Sequence, residues 1–189
     1  MRSKRAGHFL LLALLLATAA AGETPAYLPR SAWVGSYFNR AVTVQVHVQW
    51  EFALKEDEAR AFVLLLGGGG GYGLWLPTEL GPNGTSAMTA LYQHSLRAGA
   101  GFRSELSTGL DWGFQLAGGP LFYGSRFTDL PRERGVLGFL EARGQLGRRL
   151  GSSIYGLTAG YVWLFQRSDG GNTVPFLGGW MIGLFADRR

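Results

Sequence analysis

Residues 40–54, RAVTVQVHVQWEFAL, alternate along almost their whole length. Val42, Val44, Val46, Val48, Trp50, Phe52 and Leu54 share one parity, and Thr43, Gln45, His47, Gln49 and Glu51 share the other. Period two over this length describes a strand with one apolar and one polar face. The pattern returns at 88–103, where Met88, Ala90, Tyr92, His94, Leu96, Ala98, Ala100 and Phe102 oppose Thr89, Leu91, Gln93, Ser95, Arg97, Gly99, Gly101 and Arg103. It returns again at 109–118, at 153–165 and at 136–146, where Leu137 and Phe139 interrupt the polar row. Residues 173–186 are strand-like with ambiguous parity, and AWVGSYF at 32–38 supplies a short first strand. No segment carries a helical period, and Pro77, Pro82, Pro120, Pro131 and the DGGN at 169–172 are expected at strand ends or in loops. The predicted class is all-β.

Alternation does not say which row faces water. A lipocalin-like soluble barrel would turn the apolar rows inward, and a membrane barrel would turn them outward. Four features favour the membrane arrangement. The polar rows carry mid-strand charges at Glu51, Arg97, Asp111, Glu141 and Arg143, which a lumen tolerates and lipid does not. Connections alternate in length: those near 55–58, 103–106 and 147–151 are short, and those near 77–86, 123–134 and 167–172 are longer. Aromatic residues gather near strand ends: Tyr72, Trp75, Tyr92, Phe122, Tyr123, Trp163, Phe165 and Phe176 towards the long loops, and Trp50, Phe52, Phe102, Trp112, Tyr155 and Phe185 towards the short turns. With the glycine-rich stretch 62–75 as a spanning strand, the count reaches eight. An even count closes the sheet and puts both termini on the short-turn side, the periplasm. Trp50, Trp75, Tyr92, Trp112, Tyr155, Trp163 and Trp180 are the expected membrane-interface aromatics.

Composition then sharpens the picture. Hydrophobic residues make up 47% and charged residues 16% of the 189, with 30 glycines and no cysteine. The charged share is well below the roughly 25% of soluble domains. MRSKR followed by FLLLALLLATAAA reads as a secretory signal peptide over 1–22, too short for a spanning helix. Residues 23–30 follow as a periplasmic lead, and 31–187 as the barrel. Removing Arg2, Lys4 and Arg5 from the 18 basic residues leaves 15 against 13 acidic, with no long basic run. That balance gives nucleic-acid binding little support. The lack of cysteine removes disulfides, thiolate metal sites and a lipoprotein anchor.

On these observations the mature chain resembles the small eight-stranded outer-membrane β-barrel proteins of the OmpA, OmpX and OmpW type. The resemblance lies in pattern rather than motif, and Phe185 is followed by ADRR where those families often end on an aromatic residue. It implies a bacterial outer-membrane location, lipid as a partner and a monomeric state.

The candidate chemistry is sparse. His47, Glu51, Arg97, Asp111, Glu141 and Arg143 are expected to form a polar network filling the lumen, with Glu141 and Arg143 the first pair. Small barrels that act on lipid A resemble a serine-hydrolase plan, and His94-Ser95 is the only adjacent pair of that kind. Adjacent strand residues face opposite ways, so the two do not form a dyad. The expectation is therefore no catalytic residue, no metal ligand set, no cofactor and no enzymatic activity. The role would be structural, or surface contact with an extracellular ligand through the long loops. A narrow pore is the alternative, and a lipid-modifying enzyme the third. Asn83-Gly84-Thr85 matches a glycosylation sequon and marks a loop tip.

FVLLLGGGGGYGLW, residues 62–75, contains a G-x-G-x-x-G match at Gly68, Gly70 and Gly73. A phosphate loop needs a helix opening at the glycines, and Leu74-Trp75-Leu76-Pro77 leaves no room for one. The stretch is expected to be a thin place in the wall, leaving lumen space for Arg and Glu side chains of facing strands, and the first place to look for a small solute crossing or a lipid tail entering laterally.

Overall fold

The computed structural model describes residues 28–57, 59–78, 86–107, 109–165 and 173–188. The signal peptide, most of the lead, the sequon and the 167–172 loop lie outside these residues. Eight antiparallel strands follow one another around a closed barrel. They are β1 (Ser31–Phe38), β2 (Val42–Glu56), β3 (Arg60–Trp75), β4 (Met88–Ser107), β5 (Leu110–Phe127), β6 (Glu133–Leu150), β7 (Ser153–Phe165) and β8 (Gly179–Arg188). Every neighbour in the sheet is a neighbour in sequence except β1 and β8, which close it through Ser31↔Asp187 to Phe38↔Trp180.

The apolar rows face outward. Leu64, Leu66, Leu96, Phe114, Leu146, Leu157, Ile182 and Leu184 are each 45–60% exposed, while Thr43, Gln45, His47 and Gln49 are 1–2% exposed. A continuous apolar exterior of this kind suits hydrocarbon rather than water. It excludes the lipocalin-like arrangement, whose apolar rows would be inside.

Several boundaries differ from the sequence expectation: the short turns expected near 103–106 and 147–151 are narrower, since β4 runs to Ser107 and β6 to Leu150. Pro120 lies inside β5, which runs on to Phe127, and β6 begins at Glu133, so most of the loop expected at 123–134 is sheet. Pairing between β4 and β5 lapses from Ser95↔Leu121 to Ala98↔Gly118, and Pro120, which has no N–H to donate, falls in that gap. Residues 173–186 also divide. A single 3-10 turn, η1 (Val174–Phe176), precedes β8, and Gly178 and Gly179 reverse the chain between them at φ +66° and +95°. That reversal needs glycine, and it explains the ambiguous parity.

The interior has three levels. At the long-loop end, Leu91, Leu121, Phe139, Val162 and Met181 form an apolar core capped by Phe176 and Leu177. The lumen is therefore not polar along its whole length, and Phe176 is a plug residue rather than an interface aromatic. Phe185 is likewise inward and buried. Below this core lie two polar levels.

Candidate functional site

The middle level is built on Trp33, which β1 points into the lumen. Its ring stacks on His47 at 4.3 Å between centroids and 10° from parallel. The guanidinium carbons of Arg97 and Arg143 lie 5.5 and 5.3 Å from the same ring, within cation–π range. Arg97 Nη1 donates to Glu141 Oε1 at 3.0 Å, and Tyr37 Oη donates to Glu141 Oε2 at 3.3 Å. Trp33, His47, Arg97, Glu141 and Arg143 are each no more than 2% exposed. Strands β1, β2, β4 and β6 thus each send a side chain to one packed cross-section. An eight-stranded lumen is just wide enough to be filled in this way.

Arg143 continues the network downward. Its Nε lies 3.6 Å from Glu141, its Nε and Nη2 donate to Gln115 Oε1, and its Nη2 donates to Gln49 Oε1 at 2.8 Å. Gln49 Nε2 donates to Glu51 Oε1 at 3.0 Å, and Glu51 accepts from Arg103 Nη1 at 2.9 Å. Arg103 also reaches Asp187 and Glu56, each at 3.3 Å. Beside this group Arg149 pairs with Glu105 at 3.0 Å and Asp111 at 3.4 Å. An unbroken polar spine therefore runs from Arg97 at mid-barrel to Asp187 at the short-turn end.

Of the six expected lumen residues, His47, Arg97, Glu141 and Arg143 meet in the middle level, while Glu51 and Asp111 belong to two clusters below it. Glu141 and Arg143 do touch, but the shorter bond of Glu141 is to Arg97 across the lumen. Trp33, Tyr37, Gln49, Arg103, Gln115, Arg149 and Asp187 were not singled out by the sequence pattern. Gln49, Arg103 and Gln115 stood in the polar rows, so parity places them inside.

The wall at the glycine stretch is thin on both faces. A Cβ at Gly69 would run into Nδ1 of His47 from inside, and a Cβ at Gly70 would run into Nδ1 of His94 from outside. A Cβ at Gly71 would collide with the Val44 carbonyl of β2. The space is therefore taken by two histidines and by close β2–β3 packing, not by Arg and Glu side chains as expected. His94 is exposed on the outer face beside the row of Tyr92 and Leu96. Ser95 is 6% exposed and opens to the lumen, so the pair is split by the wall.

The outer aromatics form two groups. Phe62, Phe102 and Trp112 pack together near the short turns, with centroids 4.9 and 5.4 Å apart. Tyr161 packs against Trp163 and Trp180 near the long loops, at 5.0 and 5.1 Å. Trp75 is 62% exposed at the long-loop end of β3. Tyr92 is half-buried near that same end, and Trp50 and Tyr155 are half-buried near the short turns. Among the described residues no group of three or more His, Asp or Glu side chains is placed to hold a metal ion.

No family model matches the chain. No curated protein matches it either. Among solved structures the chain is similar to the outer membrane enzyme PagL, with a TM-score of 0.54 at 12% identity, covering 84% of this chain and 97% of that one. This comparison overturns the expectation of no enzymatic activity, which rested on the lack of a dyad. An enzyme is built on the same small barrel, so a filled lumen and split His94-Ser95 do not exclude catalysis. Identity this low carries the architecture and no residue roles. The chain has the fold of a small eight-stranded outer-membrane β-barrel.

Proposed function

We propose that the chain resides as a monomer in a bacterial outer membrane, exported by cleavage of residues 1–22, and engages lipid at its outer wall rather than passing solutes through its lumen. One observation carries this reading. The cross-section at Trp33, His47, Arg97, Glu141 and Arg143 is packed, with every member at most 2% exposed. A narrow pore would need that level to open, and its charges are held by partners on other strands. An extracellular ligand bound through the long loops remains compatible with the same closed barrel.

A lipid-modifying enzyme is the second reading, favoured by His94. It is an ionisable side chain on the lipid-facing wall, laid over Gly70. Such residues are costly in lipid and tend to mark function. With Ser95 turned inward, the chemistry open to His94 is general-base activation of water on a lipid ester. Planar-bilayer recording and lipid mass spectrometry test both readings. The closed-lumen reading expects no steady conductance from the purified monomer, and a large steady conductance would refute it. Lipids from cells carrying the chain should differ in mass from those carrying His94→Ala. Identical lipid profiles would remove the enzymatic reading and leave lipid contact.

A further inference from the structure

A small cavity lies in the lumen between the middle level and the plug, lined by Tyr37, Gln93, Ser95, Arg97 and Phe139 and roofed by Gly178. It is small, on the order of a single water molecule or monatomic ion. Three polar groups on its wall make no hydrogen bond within the described residues: Arg97 Nε and Nη2, Ser95 Oγ and Gln93 Oε1. Their residues are 2%, 6% and 1% exposed. Buried polar atoms are ordinarily paired, so this convergence marks a place for a ligand.

The charge of the level says which ligand. Arg97 and Arg143 bring two guanidinium groups, and Glu141 brings one carboxylate. Arg143 reaches a second carboxylate only through Gln49, which links it to Glu51 in the level below. Glu141 already accepts from Arg97 and Tyr37 and lies beside Arg143. Taken alone, the level carries a surplus positive charge that is offset only in the level below, where Glu51, Glu56 and Asp187 surround Arg103, and a buried charge without a close counter-ion is expensive. Arg97 Nε and Nη2 and Arg143 Nη1 are the guanidinium nitrogens of this level without a hydrogen bond among the described residues, and of the two arginines Arg97 is the one that lines the cavity. Gln93 fits the same arrangement. Its Nε2 donates to Thr43 Oγ1 at 2.9 Å, and a half-turn of the amide would let Thr43 donate instead and aim the nitrogen at the cavity.

We propose that this cavity is a binding site for a single chloride-sized anion, held by Arg97 Nε and Nη2 and by the Ser95 hydroxyl. The ion completes the charge of the middle level and ties β4 to the packed cross-section. The proposal stands apart from the lipid-wall reading, since it concerns the opposite face of β4.

The test uses the full mature chain refolded in detergent with sodium bromide or sodium gluconate at equal ionic strength. Bromide should raise the unfolding temperature in a saturating manner, as a ligand specific to the folded state does. Crystals grown in bromide should show an anomalous peak between Arg97 and Ser95. Ser95→Ala should weaken the bromide dependence roughly tenfold, the worth of one hydrogen bond to a charged group. Gln93→Glu should abolish the dependence by supplying a fixed carboxylate, and this variant decides the matter should Ser95→Ala fail to fold. Equal stability in bromide and gluconate, or a folded barrel whose cavity holds water alone, overturns the proposal. So does a bromide dependence that both variants retain, because the ion would then sit elsewhere.

Discussion

Trp33 and His47 stack at 4.3 Å across the β1–β2 pair, where they are directly opposed in register. The stack is the hub of the middle level, because Arg97 and Arg143 both lie near the same indole. Removing the ring leaves two guanidinium groups beside a void. Trp33→Ala should therefore lose about 3–5 kcal/mol, the usual cost of deleting a buried aromatic side chain. Trp33→Phe, which keeps a ring for His47 and the arginines, should lose less. Urea titration in detergent, followed by the gel shift of folded barrel on unheated samples, measures both. Equal loss in the two variants would show that a phenyl ring at this position contributes nothing and that the indole itself is required.

Glu141 offers a sharper contrast, since it is the one carboxylate of that level. Glu141→Gln leaves Arg97 with a neutral partner in a buried cross-section and should cost about 3–5 kcal/mol. Replacing the pair together, Arg97→Met with Glu141→Leu, removes both charges and should cost less than the single changes Arg97→Met and Glu141→Leu added. A double-mutant cycle on unfolding free energies reads the coupling directly. Additive losses would mean that the 3.0 Å pair is not a unit.

How far the sequence reveals this arrangement depends on which constraint acts. The outward face must be apolar at every second residue, so strand number and facing were legible in the rows of β2, β4 and β7. That constraint ends where strands pass beyond the apolar belt. Arg126 and Arg134 are exposed there, at the long-loop ends of β5 and β6, and the extension of both strands was missed. Trp33 was not assigned to the lumen because AWVGSYF has apolar residues in both rows. Its parity is fixed by its register against His47 of β2 and Phe185 of β8. The Arg97–Glu141 pair escaped for a similar reason. Spacing along one strand suggests Glu141 and Arg143, whereas the shorter bond joins residues on β4 and β6, facing each other across the lumen.

The glycine stretch separates two kinds of crowding. Gly71→Ala drives a methyl into the Val44 carbonyl, a backbone atom that cannot step aside. It should destabilise by about 1–3 kcal/mol, as overpacking does. Gly70→Ala presses chiefly on His94, whose ring has free space on the lipid side to turn into. Its effect should stay within about 1 kcal/mol of wild type. The same change moves His94, so if His94 serves lipid chemistry, Gly70→Ala should alter lipid products while leaving stability nearly intact. Unfolding curves and lipid mass spectra on the two alanine variants check both halves of the argument.

The mouth of the barrel is fastened separately from its middle. Glu133 Oε2 accepts from the Thr173 backbone N–H at 2.8 Å and from its hydroxyl, and Asn39 Nδ2 donates to the Leu177 carbonyl at 3.0 Å. These bonds hold η1 over the apolar core. Glu133→Ala should lower the free energy of local opening there by about 1.5–3 kcal/mol, the range for hydrogen bonds to a charged group. Protease added to the outside of proteoliposomes should then cut near 173–178 roughly ten- to a hundredfold faster, because cleavage follows the open population. Conductance should not rise, since the level of Trp33, Arg97 and Glu141 still closes the lumen beneath the plug. Faster cleavage accompanied by a new, sustained conductance would instead identify the mouth segment as the gate and the middle level as permeable.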